Sequence, residues 1–581
     1  MNLEIGAGIN GEDLSEKIIS ELNYKNMLAT VNHFSHLYRY TGHPDGEAAV
    51  DYLVAKLDEY GITADRLFYD AYLSLPLDAK VDMFFPSEKS VKVIAAVYSG
   101  EAKGLAGDLL YDGWSNERHS GQEEYERHFE PFKGKIVLTR TGGGKYAIRA
   151  ARAGALAVIH MWPSGEDLHH HSSIGTVWGT PTPAERGSFP FIPYVEMTKR
   201  DGEDLLRLLG NGPVRLSLNV KMDNGIRRSS MPIVNIPGKS RKFVLISGHY
   251  DSWYEGITDN AVSDAILLEF ARVFHQHRNL LNRSVKIAWW SGHSDGRYAG
   301  STWYCDSHWE ELSSDCVAHI NIDLAGCRNA DQVRVRTTLM EGSCFTDRMI
   351  REFAHHEPKP YIPMVRGADQ SFWGVGIPLS IMPKYEAIPE KSDFRCPSGG
   401  PWWHTDADTI DKLDETFMIR DAKLNAKIAS LILNSDRLPV NLTGFLGEMT
   451  QILNDIDSKL EDEFDLTPVY GCLHTLEDSI VKLEEAMKRE RDTDEILKLV
   501  AGELVRIVYS SSSPYYQDPA VEQMPFPLLR KACNATPSNC SAGYYLFLQT
   551  EFLRQRNRLV GQMKRIIKDI DHQLLKWQAE E

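Results

Sequence analysis

The chain is poor in three things. It has eight cysteines in 581 residues, and none forms a Cys-x-x-Cys pair. A disulfide scaffold and a Cys-rich zinc site are both excluded on that count, and reduced thiols are expected even for Cys533 and Cys540. No stretch reaches the about 18 uninterrupted apolar residues of a membrane span. The N-terminus, Met1 to Gly8, has no basic segment followed by an apolar one, so no secretory signal is read there. Positive charge is also short: 64 Lys and Arg stand against 81 Asp and Glu, a formal net charge of -17. General binding to nucleic acid or to an anionic membrane needs the opposite balance. The expectation is a soluble, cytoplasmic protein of two or three domains.

What is present is an α/β pattern broken by an insert. Residues 12–75 give two helical patterns, with Ala49, Tyr52, Leu53 and Leu57 near one face, and then a strand at 66–72. Residues 76–234 alternate short apolar runs with Gly- and Pro-rich turns. Gly142-Gly143-Gly144-Lys145 lacks the first glycine and the Ser or Thr of a phosphate loop and is rejected as one. His169-His170-His171 reads as a solvated loop. Strand-then-helix alternation returns over 235–435, with strands near 243–246, 284–290, 319–323, 332–337 and 378–382. Residues 440–581 carry long amphipathic stretches, with Leu473, Leu476, Ile480 and Leu483 on one stripe, and read as a helical bundle. The fold class is therefore α/β: a mixed twisted sheet covered by helices (1–75 and 235–435), a β-rich insert (76–234) and a helical C-terminal part (440–581).

The chemistry gathers at strand ends, where open α/β sheets hold their ligands. The apolar run 243–246 exits into Ser247-Gly248-His249-Tyr250-Asp251, with Asp259 eight residues beyond Asp251. Asn321-Ile322-Asp323 closes a second strand. Gly367 to Phe372 precedes Gly376-Ile377-Pro378, and His404 to Thr409 opens the last helix. Imidazole and carboxylate are suitable zinc ligands. Asp259 is placed to bridge two ions, with His249 and Asp323 on one and His404 on the other. Two ions about 4 Å apart polarise an amide carbonyl and generate hydroxide at neutral pH. Trp402 and Trp403, just before His404, suggest an aromatic pocket wall.

These stretches resemble the co-catalytic zinc exopeptidases, the family of bacterial aminopeptidases, glutamate carboxypeptidase II and the inactive transferrin receptor. The resemblance rests on Gly248 to Trp253, Thr258-Asp259-Asn260, Asn321 to Asp323, Gly376 to Pro378 and His404 to Thr409. It implies that 76–234 is a protease-associated domain and that the helical part makes a homodimer. It also implies one or two zinc ions, held by His249, Asp259, Asp323 and His404, with Asp251 orienting His249. The sequence departs from the family where two adjacent glutamates are expected, a base and a metal ligand. Here His293-Ser294-Asp295 follow Trp289-Trp290-Ser291-Gly292. Three readings stand: His293 is a replacement ligand or the base; Asp295 reaches the metal by a one-residue slip; or one metal site is lost.

The expected function is metal-dependent hydrolysis of amide or peptide bonds, aminopeptidase- or carboxypeptidase-like, with metal-bound water as nucleophile. The substrate is a short peptide or a small amide, touched by Arg297 and Trp403. His293 and Asp251 are the candidate catalytic residues. The insert and the 385–404 loop are expected to cover the site. Two alternatives are a non-catalytic binding or assembly protein and a small-molecule amidohydrolase.

Overall fold

The structure is a computed structural model that describes residues 9–113, 127–338, 340–359, 362–386, 399–489, 493–520 and 524–580. Fourteen of its strands join in one mixed sheet. At the centre lies Ser240–His249, parallel to Arg283–Trp290 on one side and to Cys316–Asn321 on the other. Leu379–Glu386 extends the parallel set beyond Cys316–Asn321, and Gln332–Thr337 adds an antiparallel neighbour. Phe243, Val244, Leu245 and Ile246 are all buried. A strand covered on both faces needs such a continuous apolar run, and this is why 243–246 does not alternate.

The expected 66–72 strand is the start of a much longer one. Asp65–Phe85 pairs antiparallel with Arg215–Ile236 over nearly its whole length. Irregularities at Pro76/Asp78 and Met83/Phe85 break the register. This ribbon carries the sheet out of the α/β domain and into the insert. There Ala102–Asp112, Lys135–Thr139, Ala157–Met161 and Tyr194–Met197 continue it. Residues 76–234 supply most of two apolar clusters, one on Ile136, Leu138 and Ile159, the other on Val137, Tyr146 and Tyr194. Trp253 of the α/β domain packs into the second of these, so the insert and the central strand ends share a seam.

The C-terminal stretches form the helices Leu442–Asp457, Thr467–Met487, Asp494–Tyr509 and Ala542–Glu580. Leu473, Leu476, Ile480 and Leu483 are all buried, as their stripe requires. Their apolar core is continuous with that of the α/β sheet rather than separate from it. No helix among the described residues is long and apolar enough to cross a membrane.

Candidate metal centre

Three neighbouring parallel strands end side by side, and their register sets the site. His249 is the last residue of the central strand, and Trp290 of the next strand stands opposite it. His293 follows three residues after Trp290. Asp323 follows two residues after Asn321, the end of the strand on the other flank. Asp259 arrives on the turn that leads into the helix Val262–Gln276. His404 comes from the segment before Glu415–Asn434, a helix capped by Asp414 through the N–H groups of Thr416 and Phe417.

His249, Asp259 and Asp323 are 1%, 7% and 6% exposed, and one donor atom from each lies within 4.8 Å of the others. His249 Nε2 is 3.1 Å from Asp259 Oδ1 and 3.6 Å from Asp323 Oδ1. Asp251 accepts the other ring nitrogen on its backbone carbonyl, Nδ1 to O at 2.9 Å, which turns Nε2 toward the carboxylates. Burial pushes the His249 imidazole down, yet Asp259 and Asp323 outweigh it and hold its pKa well above the usual histidine range. Burial likewise pushes Asp259 up, and His249 and His404 hold it well below the ordinary carboxylate range. His249 Nε2 and Asp323 Oδ1 are buried and make no well-directed hydrogen bond. A trio of two carboxylates and an imidazole that gathers positive charge and leaves donor atoms unpaired fits a divalent cation.

The second oxygen of Asp259 faces His404, with Oδ2 3.1 Å from its Nε2. His404 sits at φ +59°, and its Nδ1 donates to the carbonyl of His171 at 2.9 Å. Trp403 stacks on its ring at 3.8 Å. No carboxylate from 293–295 joins it. His293 turns Nδ1 to Asp369 Oδ2 at 2.7 Å and stacks flat on His249, ring centroids 3.7 Å apart. Asp251 accepts the backbone N–H groups of His293 and Ser294 on its two oxygens. Burial, then the neighbouring Asp251, push Asp295 well above the ordinary carboxylate range. It stands outside the donor trio. Arg297 donates to the Ala520 carbonyl at 2.9 Å and lies over the Tyr298 ring.

The 169–171 loop differs from its sequence reading. His170 and His171 are 3% and 5% exposed, not solvated. His170 stacks on Trp162 at 3.5 Å and lies 5.2 Å from His404; His171 stacks on Trp253 at 4.3 Å. Burial and the nearby His404 pull both pKa values down, that of His171 to about 3, so both rings are neutral walls of the site. Three other residues gained no role from the sequence: Asp369, Asp408 and Lys384. Asp408 accepts from Thr258 N and Oγ1 and from Asp259 N at 2.8–3.1 Å, bracing the turn that carries Asp259. Lys384 is buried on its strand; burial pulls its ammonium down to about 8. The part of the 385–404 loop at 387–398 lies outside the described residues.

Known proteins share the fold and part of the sequence. Residues 233–429 match the model of peptidase family M28. A probable glutamate carboxypeptidase of Zea mays is 20% identical over 533 residues, 78% of this chain and 73% of its own length. Leucine aminopeptidase 2 of Trichophyton equinum is 25% identical over 249 residues; the chain spans about half (47%) of that relative. Among solved structures, an aminopeptidase from Aneurinibacillus covers 72% of this chain and 96% of its own, with TM-score 0.55 and 20% identity. A zinc aminopeptidase from Bacillus subtilis aligns over 71% and 95%, with TM-score 0.54 and 18% identity. At these identities the structures speak for the fold, which is the mixed α/β sheet with helices on its faces. The stretch 233–429 that is similar to peptidase family M28 is the one that carries His249, Asp259, Asp323 and His404.

Proposed function

We propose that the protein hydrolyses amide or peptide bonds of small substrates with one divalent ion, zinc by kinship with its relatives. The observation that carries this reading is the buried trio His249, Asp259 and Asp323, in which His249 Nε2 and Asp323 Oδ1 make no well-directed hydrogen bond. An ion held there supplies a Lewis acid that polarises an amide carbonyl.

The chain's own residues do the rest. His293 stands where the family has its glutamate base. Its Nδ1 is taken by Asp369, so Nε2 is the atom left to accept a proton from the attacking water and return it to the leaving amine. Asp251 tethers both histidines, His249 through its carbonyl and His293 through its carboxylate. His404 and Trp403 close one wall and the 169–171 loop another, which favours a short peptide or small amide over a long chain.

The test uses protein purified without a histidine tag and loaded with zinc or manganese, offered a panel of aminoacyl and N-acyl anilides and dipeptides. Turnover that a chelator abolishes and added metal restores is the expected result. Bound metal with no turnover on any member would place the chain among non-catalytic binding proteins instead.

A further inference from the structure

The base assigned above is useful only in one tautomer. A neutral imidazole accepts a proton at Nε2 only when its own hydrogen sits on Nδ1. Asp369 is fully buried, and two different groups take its two oxygens. Oδ2 faces His293 Nδ1 at 2.7 Å, and Oδ1 accepts from Ser301 Oγ at 2.8 Å. Burial pushes Asp369 up, but His293, His249 and Ser301 outweigh it and hold it below the ordinary carboxylate range.

Behind Ser301 the chain of contacts continues. Ser301 Oγ is 2.9 Å from Ser371 Oγ, and Trp178 Nε1 donates to Ser371 Oγ at 2.8 Å. Thr302 Oγ1 is a longer neighbour of Ser371, at 3.3 Å. Trp178, Ser371 and Ser301 are each at most 2% exposed, so water does not compete for these bonds. An indole N–H can only donate. With Trp178 donating, Ser371 is free to donate to Ser301, and Ser301 to Asp369. All hydrogens of the chain then point toward the carboxylate, which is left only to accept. Asp369 itself sits at φ +57° beside Ala368 at +49°, a backbone cost that these bonds offset.

We propose that Asp369 is a positioning residue that fixes His293 with its hydrogen on Nδ1, and that Trp178 of the insert, through Ser371 and Ser301, holds that carboxylate in place. The insert would thus act on the chemistry as well as cover it. This rests on His293 being the base of the proposed hydrolase, but its first test does not need turnover.

Zinc-loaded protein labelled with ¹⁵N-histidine is examined by long-range ¹H–¹⁵N correlation at pH 8.5, with His293 assigned through His293→Gln. The expected signal is Nδ1 protonated and Nε2 carrying the lone pair. Asp369→Asn, which can turn an amide N–H toward Nδ1, should move His293 to the opposite tautomer with zinc content unchanged. A parent ring with its hydrogen on Nε2, or a tautomer that Asp369→Asn leaves unchanged, overturns the proposal. On the chromogenic panel Trp178→Phe should lower kcat about 3- to 10-fold, the effect of one hydrogen bond, with KM and zinc content unchanged. Should its melting temperature collapse, Ser371→Ala breaks the same chain. An unchanged kcat in a folded variant overturns the insert's part. If no substrate turns over, the hydrolase reading fails while the tautomer result still decides the Asp369 claim.

Discussion

The two oxygens of Asp259 look onto unlike surroundings. On the Oδ1 side His249 and Asp323 complete a compact, buried donor set. On the Oδ2 side, among the described residues, His404 approaches as a donor at 3.1 Å. The family resemblance implies a second carboxylate there, and His293 turns instead to Asp369. In the reading proposed above, the Oδ1 half has a full donor set, while the Oδ2 half lacks a second carboxylate and has a histidine–aspartate pair beside it. The difference teaches that a metal half-site and a base can change independently, because separate strands supply them. The preserved half uses the central strand and the one before Asp323, and the altered half uses the strand ending at Trp290.

The largest expected effect comes from breaking the preserved half. Asp259→Asn should remove the bound ion and take hydrolysis to background, because both His249 and His404 lose their carboxylate partner. Metal analysis and turnover on the same sample check it. Next, His293→Gln should keep the ion and lower kcat by about 10²- to 10⁴-fold, the range for loss of a general base. Loss of the ion in that variant would move His293 from base to ligand. Asp408→Asn should weaken metal affinity about 10- to 100-fold by loosening the turn at Thr258 and Asp259. A chelator competition reads it.

The smallest effect isolates the electrostatics. Glu448 is a buried carboxyl whose Oε2 has no hydrogen-bond partner, unlike Asp369 with its two. Burial alone pushes it from 4.5 up to about 7. The folded state therefore holds its proton more tightly than the unfolded one. The stability from that proton is complete below about 4.5 and is lost as pH rises through about 7. Glu448→Gln should melt close to the parent at pH 4 and higher than it by a few degrees, on the order of 3 °C, at pH 8.5. Calorimetry at the two pH values separates the outcomes.

Much of this was legible in the sequence, and for physical reasons. A short unbroken apolar run that ends in glycine, such as 243–246 before Gly248, reads as a doubly covered strand. Polar residues at such strand exits mark a site, so His249, Asp259, Asp323 and His404 could be named together. What escaped were pairings across the fold. His293 is visible, but Asp369, 76 residues on, becomes its partner only when the sheet brings their two segments together. His170 and His171 lie in a polar stretch that reads as solvated. Their burial comes from the rings of Trp162 and Trp253, and Trp253 lies 82 residues beyond His171 in the sequence. The strand from Asp65 to Phe85 looked short because Pro76 and the charged residues after it interrupt its pattern, while its partner Arg215–Ile236 holds it extended.

The central claim is that one half of the centre is complete and the other is not. The most direct test is metal content per chain, by elemental analysis of untagged protein after zinc loading and gel filtration. The account predicts one ion per chain in the parent, one in His293→Gln and none in Asp259→Asn. No ion in the parent, or two in the parent falling to one in His293→Gln, would contradict it.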